Sequence, residues 1–300
     1  MIEQASRREF LRSTAVAVAA GAAADSAWAQ PQATSAGASF APPIGVCGGL
    51  DRAPGLAAAG GSYMEVGVQW FLAPHKPAEV YEKNRQALEA CPLPAKAANG
   101  FIPGSLKSTG PEADHSAVLA YADLAFQRAK EVGIEVIVFG SSGSRTPPKD
   151  FDLDVAELQF VALLGKMGML AEKHDVLVAL EPLNKRETHF INTVEEGARL
   201  IRAVQHPNIW LLADIFHMLR EDEPAQSLLD AGDLLKHVHI AEKAKRTAPG
   251  VDGDDFTDYL QALKDIGYGG RISMECGWKD FNAQIPTAVA TLQEQLQNLA

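Results

Sequence analysis

The chain has 300 residues, a formal net charge of −11, 47% hydrophobic residues and three cysteines. An acidic balance argues against a nucleic-acid binder, whose affinity rests on lysine and arginine contacts to phosphate, while the hydrophobic share suffices for a large buried core. Cys47, Cys91 and Cys276 cannot all pair with one another and show no C-x-x-C spacing, so they read as small buried apolar residues rather than a redox or metal motif.

The first segment is read apart from the fold. Ser6-Arg7-Arg8-Glu9-Phe10-Leu11-Arg12 is followed by an Ala/Val run over Thr14 to Ala24 and then by Ala27-Trp28-Ala29. A charged head, an apolar middle and a small-x-small cleavage site make a signal peptide over residues 1–29, and the paired arginines give it the twin-arginine form. The expected partner is the twin-arginine export machinery, and the expected location is periplasmic or secreted. The apolar run is about half the ~20 residues that span a bilayer, so no stable membrane insertion is expected. Residues 30–43 are small, polar and Pro-containing and read as a flexible linker. Twin-arginine cargo crosses the membrane folded, often with its cofactor loaded, which directs attention to a metal site.

From residue 44 onward, short β-rich runs alternate with amphipathic segments. The predicted strands are Ile44–Cys47, Tyr63–Val68, Ala95–Gly100, Glu135–Gly140, Val176–Leu180, Ile209–Ala213, Leu235–Ile240 and Arg271–Glu275. The predicted helices are Pro77–Leu88, Ser116–Val132, Leu153–Lys173, Thr193–Ala203, Pro224–Ala231, Asp255–Ile266 and Pro286–Leu299. This βα alternation predicts an α/β fold, a single-domain (β/α)8 TIM barrel over residues 44–300. A doubly wound open sheet is the alternative, but no Gly-x-Gly-x-x-Gly follows any strand.

In such a barrel the C-terminal ends of the strands converge on one face. Strands five, six and eight end in Glu181, Asp214 and Glu275, and strand seven carries His237-Val238-His239. Any one such carboxylate could be a helix N-cap. Four ligand types at four successive strand ends point instead to a divalent metal held by Glu181, Asp214, His239 and Glu275. Unpaired, these carboxylates would repel one another. The oxygen-rich, thiolate-free set favours Mn2+, with Mg2+, Co2+ and Zn2+ as rivals. His237 shares a strand face with His239 and could lie deeper. Glu187 and His217, in the loops after strands five and six, are candidates for substrate or a further ligand. Lys245 and Arg246 follow strand seven and could bind a substrate hydroxyl or anion.

These segments carry a recognisable pattern. Leu180-Glu181-Pro182-Leu183-Asn184 with Glu187, Asp214-Ile215-Phe216-His217-Met218, His237-Val238-His239, Pro249-Gly250 and Met274-Glu275 resemble the xylose isomerase-like TIM barrel superfamily. The closest likeness is to its sugar phosphate isomerase/epimerase branch with the ketose 3-epimerases. The resemblance implies that Glu181, Asp214, His239 and Glu275 hold the metal, that Glu187 and His217 hold substrate oxygens, and that Glu181 and Glu275 double as acid and base on opposite faces of the reacting carbon. Relatives are often dimers or tetramers, which admits a homo-oligomer here. One departure stands out: the family usually places an arginine six residues after the strand-seven histidine, where this chain has Lys245, with Arg246 next.

The expected function is a metal-dependent sugar isomerase or epimerase acting on a small sugar or keto-sugar through an enediolate. A lyase or dehydratase acting on a keto-sugar, keto-glycoside or keto-inositol could use the same site. A non-catalytic exported sugar-binding barrel is the alternative outside enzymology. An apurinic-site endonuclease would need further metal ligands, and the histidines after strands two and three, His75 and His115, read as surface or packing residues.

Overall fold

The computed structural model describes residues 40–300. The signal peptide and most of the linker expected before the barrel lie outside the described residues.

Eight strands form one closed parallel barrel in sequence order. They are β1 Ile44–Cys47, β2 Tyr63–Gly67, β3 Ala95–Asn99, β4 Val136–Phe139, β5 Leu177–Leu180, β6 Ile209–Asp214, β7 Leu235–Ile240 and β8 Arg271–Met274. The last strand closes on the first, with Val46 opposite Met274. The helices are α1 Ala53–Ala58, α2 Ala78–Glu89, α3 His115–Val132, α4 Ser142–Arg145, α5 Leu153–Lys173, α6 Val194–Val204, α7 Ile215–Arg220, α8 Gln226–Ala231, α9 Thr257–Asp265 and α10 Phe281–Gln297. Among the described residues no helix is long and apolar enough to cross a membrane.

The period of two along each strand assigns the faces. Outward residues such as Val46, Val66, Ile137, Val178 and Leu211 join the large core beneath the helices. Inward residues Tyr63, Ala97, Val136, Val138, Ala179 and Leu212 form a separate apolar plug inside the barrel. Continuing the same alternation one step toward the C-terminal ends gives Glu65, Asn99, Gly140, Glu181, Asp214, His239 and Glu275. The barrel interior is therefore layered, hydrocarbon below and titratable groups above.

Helix starts follow capping chemistry. The Asp152 side chain accepts from the Asp154 and Val155 amides at the start of α5, and Thr193 and Glu196 form a reciprocal capping box on α6. The last helix begins at Phe281 rather than Pro286. Asp280 accepts the Ala283 amide and nucleates the turn ahead of the proline. Pro286 therefore sits inside the helix and forgoes one backbone hydrogen bond. Helices α1, α4 and α7 were not expected, since four to six residues give only one turn or two of a 3.6-residue period.

Candidate metal centre and its cleft

Inside the barrel Glu65 is fully buried in the middle of β2. Its carboxylate accepts from His237 Nε2 at 2.7 Å, His239 Nε2 at 2.8 Å and Ser273 Oγ at 2.5 Å. Tyr63 Oη in turn donates to Ser273 Oγ at 2.7 Å. Burial alone would push the Glu65 carboxyl up, but the two histidines outweigh it and hold its pKa well below the usual carboxylate range. Because His239 donates from Nε2, its Nδ1 is the atom turned to the mouth of the barrel. A buried carboxylate that fixes the tautomer of an outward-facing imidazole is the support that metal-binding histidines ordinarily have.

Around that nitrogen lie Glu181 Oε1 and Glu275 Oε2, each 3.2 Å away. One candidate ligand atom from each of Glu181, Asp214, His239 and Glu275 lies within 4.8 Å of the other three. Metal–oxygen distances of about 2.0–2.4 Å put opposite ligands about 4–5 Å apart, so this set fits one divalent ion. The donors are hard or borderline, which agrees with that size. Cys47, Glu65 and His239 form a second such group, but the Glu65 and His239 Nε2 atoms are already committed to each other.

Each member is fixed by a different device. Asp214 ends β6 and caps α7: Oδ1 accepts the Phe216 amide at 2.9 Å, leaving Oδ2 for the cluster, where it also accepts from Arg246 at 3.0 Å. Glu181 depends on Gly140, where an added Cβ would stand 2.1 Å from Glu181 Oε2. Beneath both, the buried guanidinium of Arg145 donates to the carbonyls of Gly140, Phe190 and Glu181 at 2.6, 2.5 and 2.9 Å. Burial lowers Arg145 to about 10. On the far side Asn99 Nδ2 donates to Glu275 Oε1 at 2.7 Å.

The electrostatics divide the two glutamates. Burial pushes the Glu181 carboxyl up; its contact with His239 opposes this and the nearby Glu275 adds to it. Burial acts the same way on Glu275, but there His239 and Arg246 outweigh it and hold the group at about 2. Burial alone would lower His239, yet Glu65 and Glu275 dominate and raise its pKa well above the usual histidine range. A proton and a divalent ion are alternatives at its Nδ1, so metal uptake there releases a proton.

His217, 2% exposed, shows its polarity through its partners. Nδ1 accepts from the Asn184 amide at 3.3 Å and from Asn184 Nδ2 at 2.7 Å. The proton therefore resides on Nε2, which has no hydrogen-bond partner and lies 3.4 Å from Asp214 Oδ2. Glu187 stands beside it, taking a hydrogen bond from Asn184 Nδ2 at 3.1 Å. The loop after β7 resolves the Lys245 and Arg246 pair. Lys245 is exposed and does not line the cleft. Arg246 adopts a left-handed backbone with φ of 54°. Its guanidinium packs over the Phe216 ring at 4.6 Å and reaches Asp214 Oδ2 at 3.0 Å as well as Glu275 Oε2.

These groups open onto a cleft of about 280 Å³, whose other wall is Gln69, Gly100, Gly104, Ser142 and Gly143. Trp70 is about half exposed and is not part of that lining. Glu65, Gly140, Arg145 and Asn184 had not been singled out for roles in the site. The one sequence signal for Glu65 is a charge inside the otherwise apolar run Tyr63-Met64-Glu65-Val66.

The structure is thus a closed eight-stranded barrel with three carboxylates and one histidine clustered at its C-terminal mouth, the face on which such barrels carry their sites. Residues 56–299 match the family model described as xylose isomerase-like TIM barrel, and the chain belongs to that family. It is 30% identical over 176 residues to a D-psicose 3-epimerase of Ruminiclostridium cellulolyticum, a match spanning 57% of this chain and 59% of that protein. It is 35% identical over 113 residues to a 3-dehydro-D-guloside 4-epimerase of Escherichia coli, spanning 37% and 43%. The chain thus matches about three fifths or less of the length of these curated relatives. The crystal structure of an apo 3-keto-D-glucoside 4-epimerase from E. coli superposes with a TM-score of 0.70 at 23% identity, over 85% of this chain and 100% of that one, a likeness of fold.

Proposed function

We propose that the chain is a divalent-metal-dependent epimerase or isomerase acting on a small ketose or keto-glycoside. The observation that carries this reading is the pair Glu181 and Glu275, each 3.2 Å from one imidazole nitrogen and both lining one cleft, with Asp214 buried in the same cluster. Epimerisation needs one group to remove a proton next to a carbonyl and a second to return one to the opposite face. A divalent ion held by Glu181, Asp214, His239 and Glu275, with Mn2+ favoured, supplies Lewis-acid polarisation of the carbonyl. In the proposed reaction one glutamate takes the proton from carbon, leaving an enediolate. The other glutamate delivers its own proton to the far face, and solvent then restores both. His217 Nε2–H, Glu187 and Arg246 hold substrate oxygens. The relatives named for epimerising a ketose and a keto-glycoside support this substrate range.

A second reading has one observation in its favour. Beside Gln69, the wall opposite the cluster is made of the small residues Gly100, Gly104, Ser142 and Gly143, a lining that suits a substrate larger than a free ketose. With a leaving group at the β-carbon, the same proton abstraction gives elimination. Both readings are tested by incubating the Mn2+-loaded protein in D2O with D-psicose, D-fructose, L-ribulose and a 3-keto-glucoside, followed by NMR. Metal-dependent deuterium beside the carbonyl is expected, with epimer or eliminated product deciding between the two. Glu181→Gln and Glu275→Gln should each lower turnover by about 10³-fold or more, a loss typical of removing an acid–base group from a preorganised site; full activity of either would sink the mechanism. Saturable binding without exchange would leave a sugar-binding barrel.

We also propose that the chain is exported by the twin-arginine route, on the strength of Arg7-Arg8 and Ala27-Trp28-Ala29. Replacing both arginines with lysine should retain the protein in the cytoplasm of a host with that machinery; unchanged export would reject the assignment. Self-association into a dimer or tetramer belongs to the same reading and is checked by light scattering.

A further inference from the structure

We propose that Asn99 is a positioning residue that locks the Glu275 carboxylate and so makes the two glutamates of the cleft mechanically unequal; the inference rests on the reading of Glu181 and Glu275 as the proton-transferring pair. Asn99 ends β3, and its Nδ2 donates to Glu275 Oε1 at 2.7 Å across 176 positions of sequence. Only the amide nitrogen can serve a carboxylate in this way, so the orientation of the side chain is fixed by its partner. The strand end that carries it is braced. Asn99 is in register with Gly67 on β2, and Gln69 Nε2 donates to the Gly100 carbonyl at 2.9 Å just beyond.

The other oxygen of Glu275 is also engaged, by His239 Nδ1 at 3.2 Å and by Arg246. Both ends of this carboxylate are therefore held, and rotation about its last torsion would break a contact at each. Glu181 differs. Its Oε1 meets His239 Nδ1, but among the described residues no side chain donates to its Oε2, which faces the bare Cα of Gly140. The cleft thus pairs one carboxylate contacted by side-chain donors at both oxygens with one whose outer oxygen has no side-chain donor and rests against Gly140. In a reaction that uses both faces of a carbon, Glu275 is the group aimed in advance, and Asn99 aims it.

The test compares wild type with Asn99→Ala and Asn99→Asp. The first removes the donor, and the second keeps the shape while replacing the donor by a repelling oxygen. Crystal structures of the metal-free variants should show the Glu275 carboxylate rotated away from residue 99 while Glu181 keeps its place. An unmoved Glu275 in both overturns the proposal, and this arm needs neither metal nor sugar. Calorimetric titration with Mn2+ should show affinity falling about 10- to 100-fold, the usual cost of losing a hydrogen-bond partner of a ligand. With D-psicose and D-fructose in D2O, the variants should lose about ten-fold in epimerisation. Starting from the epimer whose proton Glu181 removes, deuterium should still wash into unconverted substrate. Starting from the other epimer, exchange and conversion should fall together. Because the equilibrium constant ties the two directions of conversion together, solvent exchange decides: equal losses of exchange from both epimers, with affinity for Mn2+ unchanged, would assign Asn99 to substrate contact and overturn the proposal. A wild type that epimerises neither sugar and binds no Mn2+ would reject the functional reading, with the crystallographic arm still deciding the role of Asn99.

Discussion

Adding one methyl group at Gly140 would place a carbon 2.1 Å from Glu181 Oε2, nearer than any real side chain tolerates. The atom met is the tip of a flexible side chain, so the fold can yield at little cost, but the candidate base cannot keep its position. Gly140→Ala is therefore expected to leave thermal stability within about 0.5 kcal/mol of wild type, as for a change without a core cavity. Turnover should fall about 10²-fold, the scale of a 1 Å misplacement at a reacting centre. Circular dichroism melting beside a steady-state assay checks both, and loss of activity in proportion to loss of fold would contradict the assignment. The same scale explains what the sequence could and could not reveal. Glu181, Asp214 and Glu275 are readable because a charge directly after an apolar strand is conspicuous and barrel topology brings strand ends together. Glu65 escaped notice because its role exists only when closure of the barrel brings side chains of β2, β7 and β8 together in its interior. Gly140 and Asn99 act through contacts to partners on other strands, which one-dimensional spacing does not encode.

At the scale of elements, the loop from Glu242 to Asp254 is ordered around a single buried carboxylate. Glu242 is fully buried and accepts the amides of Gly250, Asp252 and Gly253 at 2.8, 2.5 and 2.9 Å, together with Thr247 Oγ1 at 2.9 Å. Gly250 and Gly253 take the positive φ angles, 84° and 89°, that let the amides converge. The loop is tied back to the end of β8 by the Gly277 amide donating to the Arg246 carbonyl at 2.7 Å. That is what carries the Arg246 guanidinium into the cleft. Glu242→Ala should cost about 1–3 kcal/mol through its orphaned donors. Amide hydrogen exchange should speed up over residues 246–254 without a comparable change in the strands, and KM should rise more than kcat falls. Exchange that stays slow in the loop would refute the idea. The strands were legible because a parallel barrel buries both faces and leaves near-continuous apolar runs. The short helices after β1 and β6 were not, and the proline that ends most helices proved here to lie inside one.

On the scale of the whole molecule, a site of converging carboxylates links metal binding to stability. The cluster draws one ligand from each of β5, β6, β7 and β8, half the barrel circumference. An ion bound at 100 times its Kd stabilises the folded state by about 2.7 kcal/mol, which for a domain of this size is a Tm increase of about 5–10 °C. Differential scanning calorimetry with Mn2+, reversed by EDTA, is the check. The sign with pH follows from His239. Its raised pKa means that the proton at Nδ1 must leave for an ion to enter, so the Mn2+-induced increase should shrink as pH falls and be largest above neutrality. Glu65 behaves oppositely in the absence of metal. A depressed carboxylate pKa contributes stability present above its unfolded value and lost as pH falls through the folded one, so acid should unfold the barrel from its polar layer. A Tm increase independent of pH would mean that the ion binds elsewhere.

The side chain of Asp214 commits one oxygen to the first turn of α7 and the other to Arg246 and the ligand cluster. Architecture and reactivity thus share an atom's breadth. Asparagine at this position could still start the helix and would weaken the cluster by one charge; alanine would abolish both at once. Selection acting on the chemistry is consequently also selection on the local fold, and drift at this position is closed from two directions.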